Sequence, residues 1–204
     1  MPPDLLKKWA SSAEKLIAAD GGANLLTEVG FSADVVVGDL DSANAESLTL
    51  AREIYRDEDQ TYTDCDKLLR LVASRDLVPL TLVGVEGDRL DHVFSSVHSV
   101  ARSSIRSRVT FALRGALAWV VGPGVSSRRV LAGRTVSLIP LQRCVIERTE
   151  GLRWPLDGRV LDALELTSVS NETTGSEFRV SLESGLALMT VEFLEEEFPI
   201  WETT

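Results

Sequence analysis

Up to Gly124, short apolar runs rich in β-branched residues alternate with stretches of helical period. Runs at 16–19, 34–37, 53–56, 80–83, 109–113 and 117–121 predict strands. Between them, 23–29 reads as a helix stopped by Gly30. Residues 63–73 read as a helix opened by Thr63 with Asp66 three residues on, a variant of the capping box, and 89–102 supplies a third. Such alternation marks a parallel sheet covered by helices. Beyond Gly122-Pro123-Gly124 the helical period largely stops, and runs at 135–139, 144–148, 161–166, 178–182 and 186–193 follow with turn residues between them. That spacing predicts a small antiparallel sandwich or barrel, so the chain divides near residue 125 into segments 1–124 and 125–204. The acidic run Glu195-Glu196-Glu197 reads as a solvated terminus.

Composition narrows the function classes. With 204 residues, 44% of them hydrophobic, the chain can bury a core. Its 21 Lys and Arg against 31 Asp and Glu leave a net charge of −10, which weighs against a duplex nucleic-acid binder, since such a protein needs surplus cations to displace counterions. No run approaches the roughly 20 apolar residues of a membrane span, and the start lacks a signal-peptide core, so a cytoplasmic place with no membrane partner is expected. The two cysteines, Cys65 and Cys144, match no metal-ligand spacing and read as reduced thiols. Two histidines, His92 and His98, are too few for a multi-histidine metal site.

The chemistry follows from position relative to the strands. Asp20-Gly21-Gly22 follows the first run, Asp39 and Asp41 the second, Asp59, Gln60 and Asp64 the third, and 84–92 the fourth. In a parallel sheet these carboxyl ends share one edge, where open α/β sheets bind ligands. A single aspartate in such a place is most simply a helix cap or turn former. Four of them, Asp20, Asp39, Asp41 and Asp64, would repel one another without a cation among them, and magnesium, which is held by a few carboxylates together with substrate phosphates, is the natural one. The amides around Gly21 and Gly22 at a helix start would also suit phosphate. In Glu86-Gly87-Asp88-Arg89-Leu90-Asp91-His92, Arg89 is placed to neutralise charge on a transferred phosphoryl group, and Asp91 or His92 to orient or deprotonate a hydroxyl. The same segment equally suits a plain helix N-terminus with an exposed histidine. His98, farther along, is assigned a structural place. No Gly-x4-Gly-Lys-Ser/Thr loop and no Gly-x-Ser-x-Gly elbow is present, although Cys65 stands beside Asp64 as a conceivable nucleophile. In the second segment, Trp154 in Gly151-Leu152-Arg153-Trp154-Pro155 is either a stacking platform or a plug over the sandwich end, and Ser168-Val169-Ser170-Asn171-Glu172 is a set of hydrogen-bonding groups or a turn.

Taken in order, Ala19-Asp20-Gly21-Gly22-Ala23-Asn24, Gly38-Asp39-Leu40-Asp41-Ser42, Asp59-Gln60 with Thr63-Asp64 and Lys67, Gly87-Asp88-Arg89-Leu90-Asp91-His92, Ser137-Leu138-Ile139-Pro140-Leu141, Gly151-Leu152-Arg153-Trp154-Pro155-Leu156 and Ser170-Asn171-Glu172 resemble the motifs of the thiamine pyrophosphokinase family. Each fragment is weak alone; the ordered series spans almost the whole chain. The resemblance implies a Rossmann-like α/β nucleotide-binding domain followed by a β-sandwich that takes part in binding thiamine, in a homodimer with sites at the subunit interface. It implies transfer of the pyrophosphoryl group of ATP to the hydroxyethyl oxygen of thiamine, giving AMP and thiamine diphosphate. Asp39, Asp41 and Asp64 match the family's magnesium acids. Asp20, Lys67, Arg89 and Asp91 match catalytic polar residues, and Gly21, Gly22, Gln60, Thr63 and His92 match nucleotide-side positions. Trp154, Ser170 and Asn171 match the thiamine pocket. Two other readings remain open: a pyrophosphokinase acting on another hydroxymethyl heterocycle such as a pterin, and a catalytically silent thiamine- or nucleotide-binding protein.

Overall fold

The computed structural model describes residues 1–87 and 89–194, so Asp88 and the acidic run at 195–197 lie outside the described residues. Two compact units divide at Arg114 and Gly115. The first carries α1 (Pro3–Ser12), β1 (Ile17–Ala19), α2 (Gly22–Glu28), β2 (Val35–Gly38), α3 (Ala45–Leu50), β3 (Glu53–Arg56), α4 (Asp64–Ser74), β4 (Leu80–Val83), α5 (Leu90–Arg102) and β5 (Val109–Ala112). Strands β1, β2 and β3 form a parallel sheet in that order, and β4 pairs parallel with β5. The central strand of the first sheet, β2, is the apolar run Val35-Val36-Val37, and all three valines are buried, as a strand covered on both faces requires. Around it, Ala10 of α1, Ala18 of β1, Ala23 and Leu26 of α2, Ala33, Val36 and Leu40 form one apolar cluster. In α4, Leu68, Leu69, Leu71 and Val72 are buried, while Thr63 and Asp66 close the reciprocal cap that their spacing predicts.

The second unit is all β: β6 (Ala116–Val121), β7 (Gly124–Arg129), β8 (Thr135–Pro140), β9 (Cys144–Glu150), β10 (Val160–Leu161), β11 (Ser168–Glu172), β12 (Glu177–Ser184) and β13 (Ala187–Glu192). One antiparallel sheet runs β10-β9-β12-β7, and β11, β8, β13 and β6 pair antiparallel in that order. Alternate residues point inward, Phe178, Val180 and Leu182 from β12 and Ala187, Met189 and Val191 from β13, which buries one face of each sheet as stacked sheets require. The expected α/β class with a following antiparallel unit is therefore the one observed.

Helices α1 and α3 of the first unit are not among the helices predicted from the sequence, and in the second unit three elements differ from expectation. Strand β7, Gly-Val-Ser-Ser-Arg-Arg, carries no apolar alternation, and its strand character comes from full-length pairing with β12. The run at 161–166 stops being strand at Leu161, because the Asp162 carboxylate accepts from the Leu164 amide and the Asp162 amide donates to the Leu166 carbonyl, closing a turn. The 168–172 segment, which suited a turn, pairs with β8 through a register shift between Ser168 and Asn171. The turn between β12 and β13 depends on Gly185 at φ +88, where an added Cβ would collide with the Arg143 carbonyl and the Cys144 Cα. Gly185→Ala is expected to destabilise the second unit by about 2 kcal/mol or more, from left-handed strain plus the backbone clash; a denaturant melt with an unchanged midpoint would contradict it.

Candidate active site

Because β1, β2 and β3 run parallel, their C-terminal ends open on one edge, and each is followed at once by acids. Asp20 directly follows β1 in left-handed backbone at φ 40 and is 5% exposed. Its Oδ1 accepts from the amides of Ser42 (3.3 Å) and Ala43 (3.1 Å). After β2, the Gln60 amide nitrogen donates to Asp39 Oδ2 at 2.7 Å, and the Asp41 amide donates to Asp39 Oδ1 at 3.4 Å. The Ser42 hydroxyl donates to Asp41 Oδ1 at 2.8 Å. Carboxylate oxygens of Asp20, Asp39 and Asp41 lie within 4.8 Å of one another. Between Asp39 and Asp41, Leu40 is also left-handed at φ 71. Of four non-glycine residues with positive φ among the described residues, Asp20, Leu40 and Ser170 fall in the segments singled out by sequence, where such strain concentrates.

Asp64 is reached across Gly38, the last residue of β2. A Cβ there would stand 3.1 Å from the Asp20 Cβ and 3.2 Å from Asp64 Oδ1, so the missing side chain is what lets the two acids flank the strand end. Lys67 comes one helical turn after Asp64, its side chain 2% exposed and its Nζ 3.5 Å from Asp64 Oδ1. Burial pushes the Asp64 carboxyl up from its ordinary value. Lys67 opposes that shift, and the charges of Asp20 and Asp39 add to it. Asp39 moves the other way, held below the usual carboxylate range first by Gln60 and then by the Asp41 amide. A set of hard oxygen donors, one of them buried, with a single buried lysine beside them fits a divalent cation such as magnesium. The close group contains Asp20, whereas Asp64 faces Lys67; position along the chain gathers all four acids at this edge, and it is the family resemblance that sets Asp64 with Asp39 and Asp41.

The other catalytic candidates open α5. Arg89 forks onto Asp91, with Nη2 to Oδ2 at 2.6 Å and Nε to Oδ1 at 3.3 Å, and both side chains are about two-thirds exposed. The hydrogen bond with Arg89 holds Asp91 below its ordinary value and raises the guanidinium. His92 and His98 are exposed. Helix α5 is tied to α4 by Ser99 with the Thr63 hydroxyl (3.4 Å) and by Arg102 with Asp66 (3.0 Å). Thr63 is engaged mainly as the helix cap. Burial pushes the Cys65 thiol up to about 11, which keeps it protonated at neutral pH and removes it as a nucleophile.

In the second unit, Asn171 is 4% exposed and its amide is spent on backbone: Oδ1 accepts from the amides of Trp154 (3.1 Å) and Glu172 (2.8 Å), and Nδ2 donates to the Trp154 carbonyl at 2.7 Å. The Arg153 guanidinium lies 5.1 Å from the Trp154 ring centre and pairs with Glu172 at 3.1 Å. The indole is thus fixed at its backbone yet 52% exposed, which suits a platform better than a plug. Ser170 is exposed at φ 59, with its amide donating to the Ser137 hydroxyl at 3.1 Å. Sequence reasoning did not single out Asn24, Asn44 and Ser47, which bond to the loop after Asp41. Asn24 stands inside the first motif, but its partners, Ser42, Asn44 and Ser47, are distant in sequence and leave no local signal.

Comparison with known proteins gives the family and the fold. Residues 6–112 match the family model described as thiamin pyrophosphokinase, catalytic domain, and 125–187 match thiamin pyrophosphokinase, vitamin B1 binding domain. The chain is 26% identical over 190 residues to thiamin pyrophosphokinase 1 of Caenorhabditis elegans, with 86% of this chain and 78% of that protein covered. Among solved structures it is similar to thiamin pyrophosphokinase from Candida albicans (TM-score 0.80, 19% identity, 95% and 86% of the two chains). It is also similar to the yeast enzyme of that name (TM-score 0.81, 15% identity, 99% and 85%).

Proposed function

The chain belongs to the thiamin pyrophosphokinase family, and we propose from that premise that it makes thiamine diphosphate and AMP from thiamine and ATP at the acid-lined edge of its first unit. The observation that carries this reading is the gathering of Asp20, Asp39 and Asp41 oxygens within 4.8 Å, with Asp64 and Lys67 beside them. Magnesium, held by Asp39 and Asp41 with Asp20 and Asp64 around it, would neutralise triphosphate charge when bound. The thiamine hydroxyl attacks the β-phosphorus in line; an O–P bond forms, the bond from the β-phosphorus to the bridging oxygen breaks, AMP leaves with that oxygen, and the hydroxyl proton is released past Asp91 to water. Asp91 orients the hydroxyl and Arg89 offsets charge on the transferred group. Lys67 keeps a cation at the strand ends, and Gly21, Gly22, Gln60, Thr63 and His92 line the nucleotide side. In the second unit Trp154 and Ser170 meet thiamine, and Asn171 supports Trp154.

A functional boundary near residue 125, which lies past the division between compact units at Arg114 and Gly115, a homodimer with sites at the subunit interface, ATP and magnesium binding, and a cytoplasmic location belong to the same proposal. Family matches ending at 112 and resuming at 125 support the boundary, and sedimentation tests the dimer. No helix among the described residues is long and apolar enough to cross a membrane. Incubating the protein with ATP, magnesium and thiamine should yield equal amounts of AMP and thiamine diphosphate. Transfer to a pterin in place of thiamine, or no transfer at all, would favour the two other readings. Trp154→Ala should weaken thiamine binding by about 1–3 kcal/mol, the stacking of a cationic ring being lost; an unchanged Kd in a calorimetric titration would remove Trp154 from the pocket.

A further inference from the structure

We propose that Asn24 is a positioning residue that holds the Asp39–Asp41 loop in its cation-binding form, with Ser47 as its relay; the inference rests on the metal reading above. Asn24 lies on α2, and its side chain reaches the segment just past Asp41 at three points. Nδ2 donates to the Ser42 carbonyl at 2.9 Å, while Oδ1 accepts from the Asn44 amide at 2.9 Å and from the Ser47 hydroxyl at 2.8 Å. Ser47 is 2% exposed, and Asn44 in turn caps α3 by accepting from the Ser47 amide at 2.8 Å. From the same turn, Asp20 Oδ1 takes the Ser42 and Ala43 amides, and Gly21 packs so closely that a Cβ would meet the Ser42 Cβ at 3.2 Å. Asp20, Gly21 and Asn24 therefore all bear on residues 42–44, the downstream anchor of the loop that presents Asp39 and Asp41.

The residue type follows from chemistry. This position must donate to a carbonyl and accept from an N–H and an O–H at once, which a primary amide does and an aspartate does not. A neutral group also adds no further charge beside three carboxylates. Without the clamp, the Leu40 segment, held in left-handed backbone, can relax and let the acids spread, so the ion loses its preset donors.

The test uses the full chain and Mn2+, whose binding is followed by electron paramagnetic resonance with α,β-methylene-ATP present so that no transfer occurs. Asn24→Ala is expected to weaken Mn2+ binding by about 10–100-fold, the usual effect of losing a group that orients metal ligands. Ser47→Ala should weaken it less but in the same direction. Thr27→Val strips a hydroxyl bond elsewhere on α2 (Thr27 Oγ1 to the Ala23 carbonyl, 3.1 Å) and should bind Mn2+ as the wild type does. A folded Asn24→Ala protein with wild-type Mn2+ affinity overturns the proposal, as does an equal loss in Thr27→Val. If Asn24→Ala does not fold, Ser47→Ala decides, and wild-type affinity there overturns it. Asp39→Asn separates the two levels. If it loses Mn2+ while Asn24→Ala and Ser47→Ala keep it, only the clamp fails; if wild type and Asp39→Asn bind alike, the metal reading fails and takes the clamp with it.

Discussion

Asp39→Asn is expected to lower pyrophosphoryl transfer by about 10²–10³-fold, the scale on which removing one group that stabilises transition-state charge is felt. The substitution keeps shape and one accepting oxygen, which can still take the Asp41 amide, while the new amide nitrogen faces Gln60 and keeps that contact only if the Gln60 amide turns over to accept; one negative charge is lost from three oxygens gathered within 4.8 Å. The effect should therefore appear as a raised magnesium requirement and a lower rate at saturating thiamine, with the fold intact. Asp39 is held below the usual carboxylate range. It thus stays ionised throughout the neutral range, and the loss in the variant should not vary with pH there. A rate within threefold of wild type across magnesium concentrations would dismiss Asp39 as a metal acid.

The elements that place Asp39 were readable because their causes are local. Three consecutive valines specify a doubly covered strand, and Thr63 with Asp66 specifies the start of α4. With β1, β2 and β3 parallel, the convergence of Asp20, Asp39 and Asp41 follows from direction alone. What escaped is set by partners distant in sequence. Strand β7 is polar and exists through β12, and the Asn171 amide looked like a ligand donor until its bonds to Trp154 were seen. Asp20 and Asp64 both follow predicted strands and are expected at the same sheet edge. In the fold one joins the close oxygen group and the other turns to Lys67, a distinction fixed by packing across Gly38.

Asp91→Asn should lower kcat by about 10²-fold, within the range of losing a positioned proton-handling group, while ATP binding changes little. In the wild type the Arg89 fork holds Asp91 as a carboxylate below its ordinary range. A base so weakened takes little of the proton early in the reaction, and its main service is to accept the hydroxyl hydrogen bond and aim the oxygen at phosphorus. Two consequences follow from the sign of that shift. The rate profile of the wild type should show no Asp91 limb above the usual carboxylate range, because the group is ionised throughout. Arg89→Lys, which keeps the charge and loses the two-pronged contact, should cost kcat more than it changes the KM for ATP. If Asp91→Asn instead leaves kcat intact and raises the KM for ATP, then Asp91 holds nucleotide, and the attacking hydroxyl must be oriented by another residue of the 84–92 segment, of which His92 is the exposed candidate.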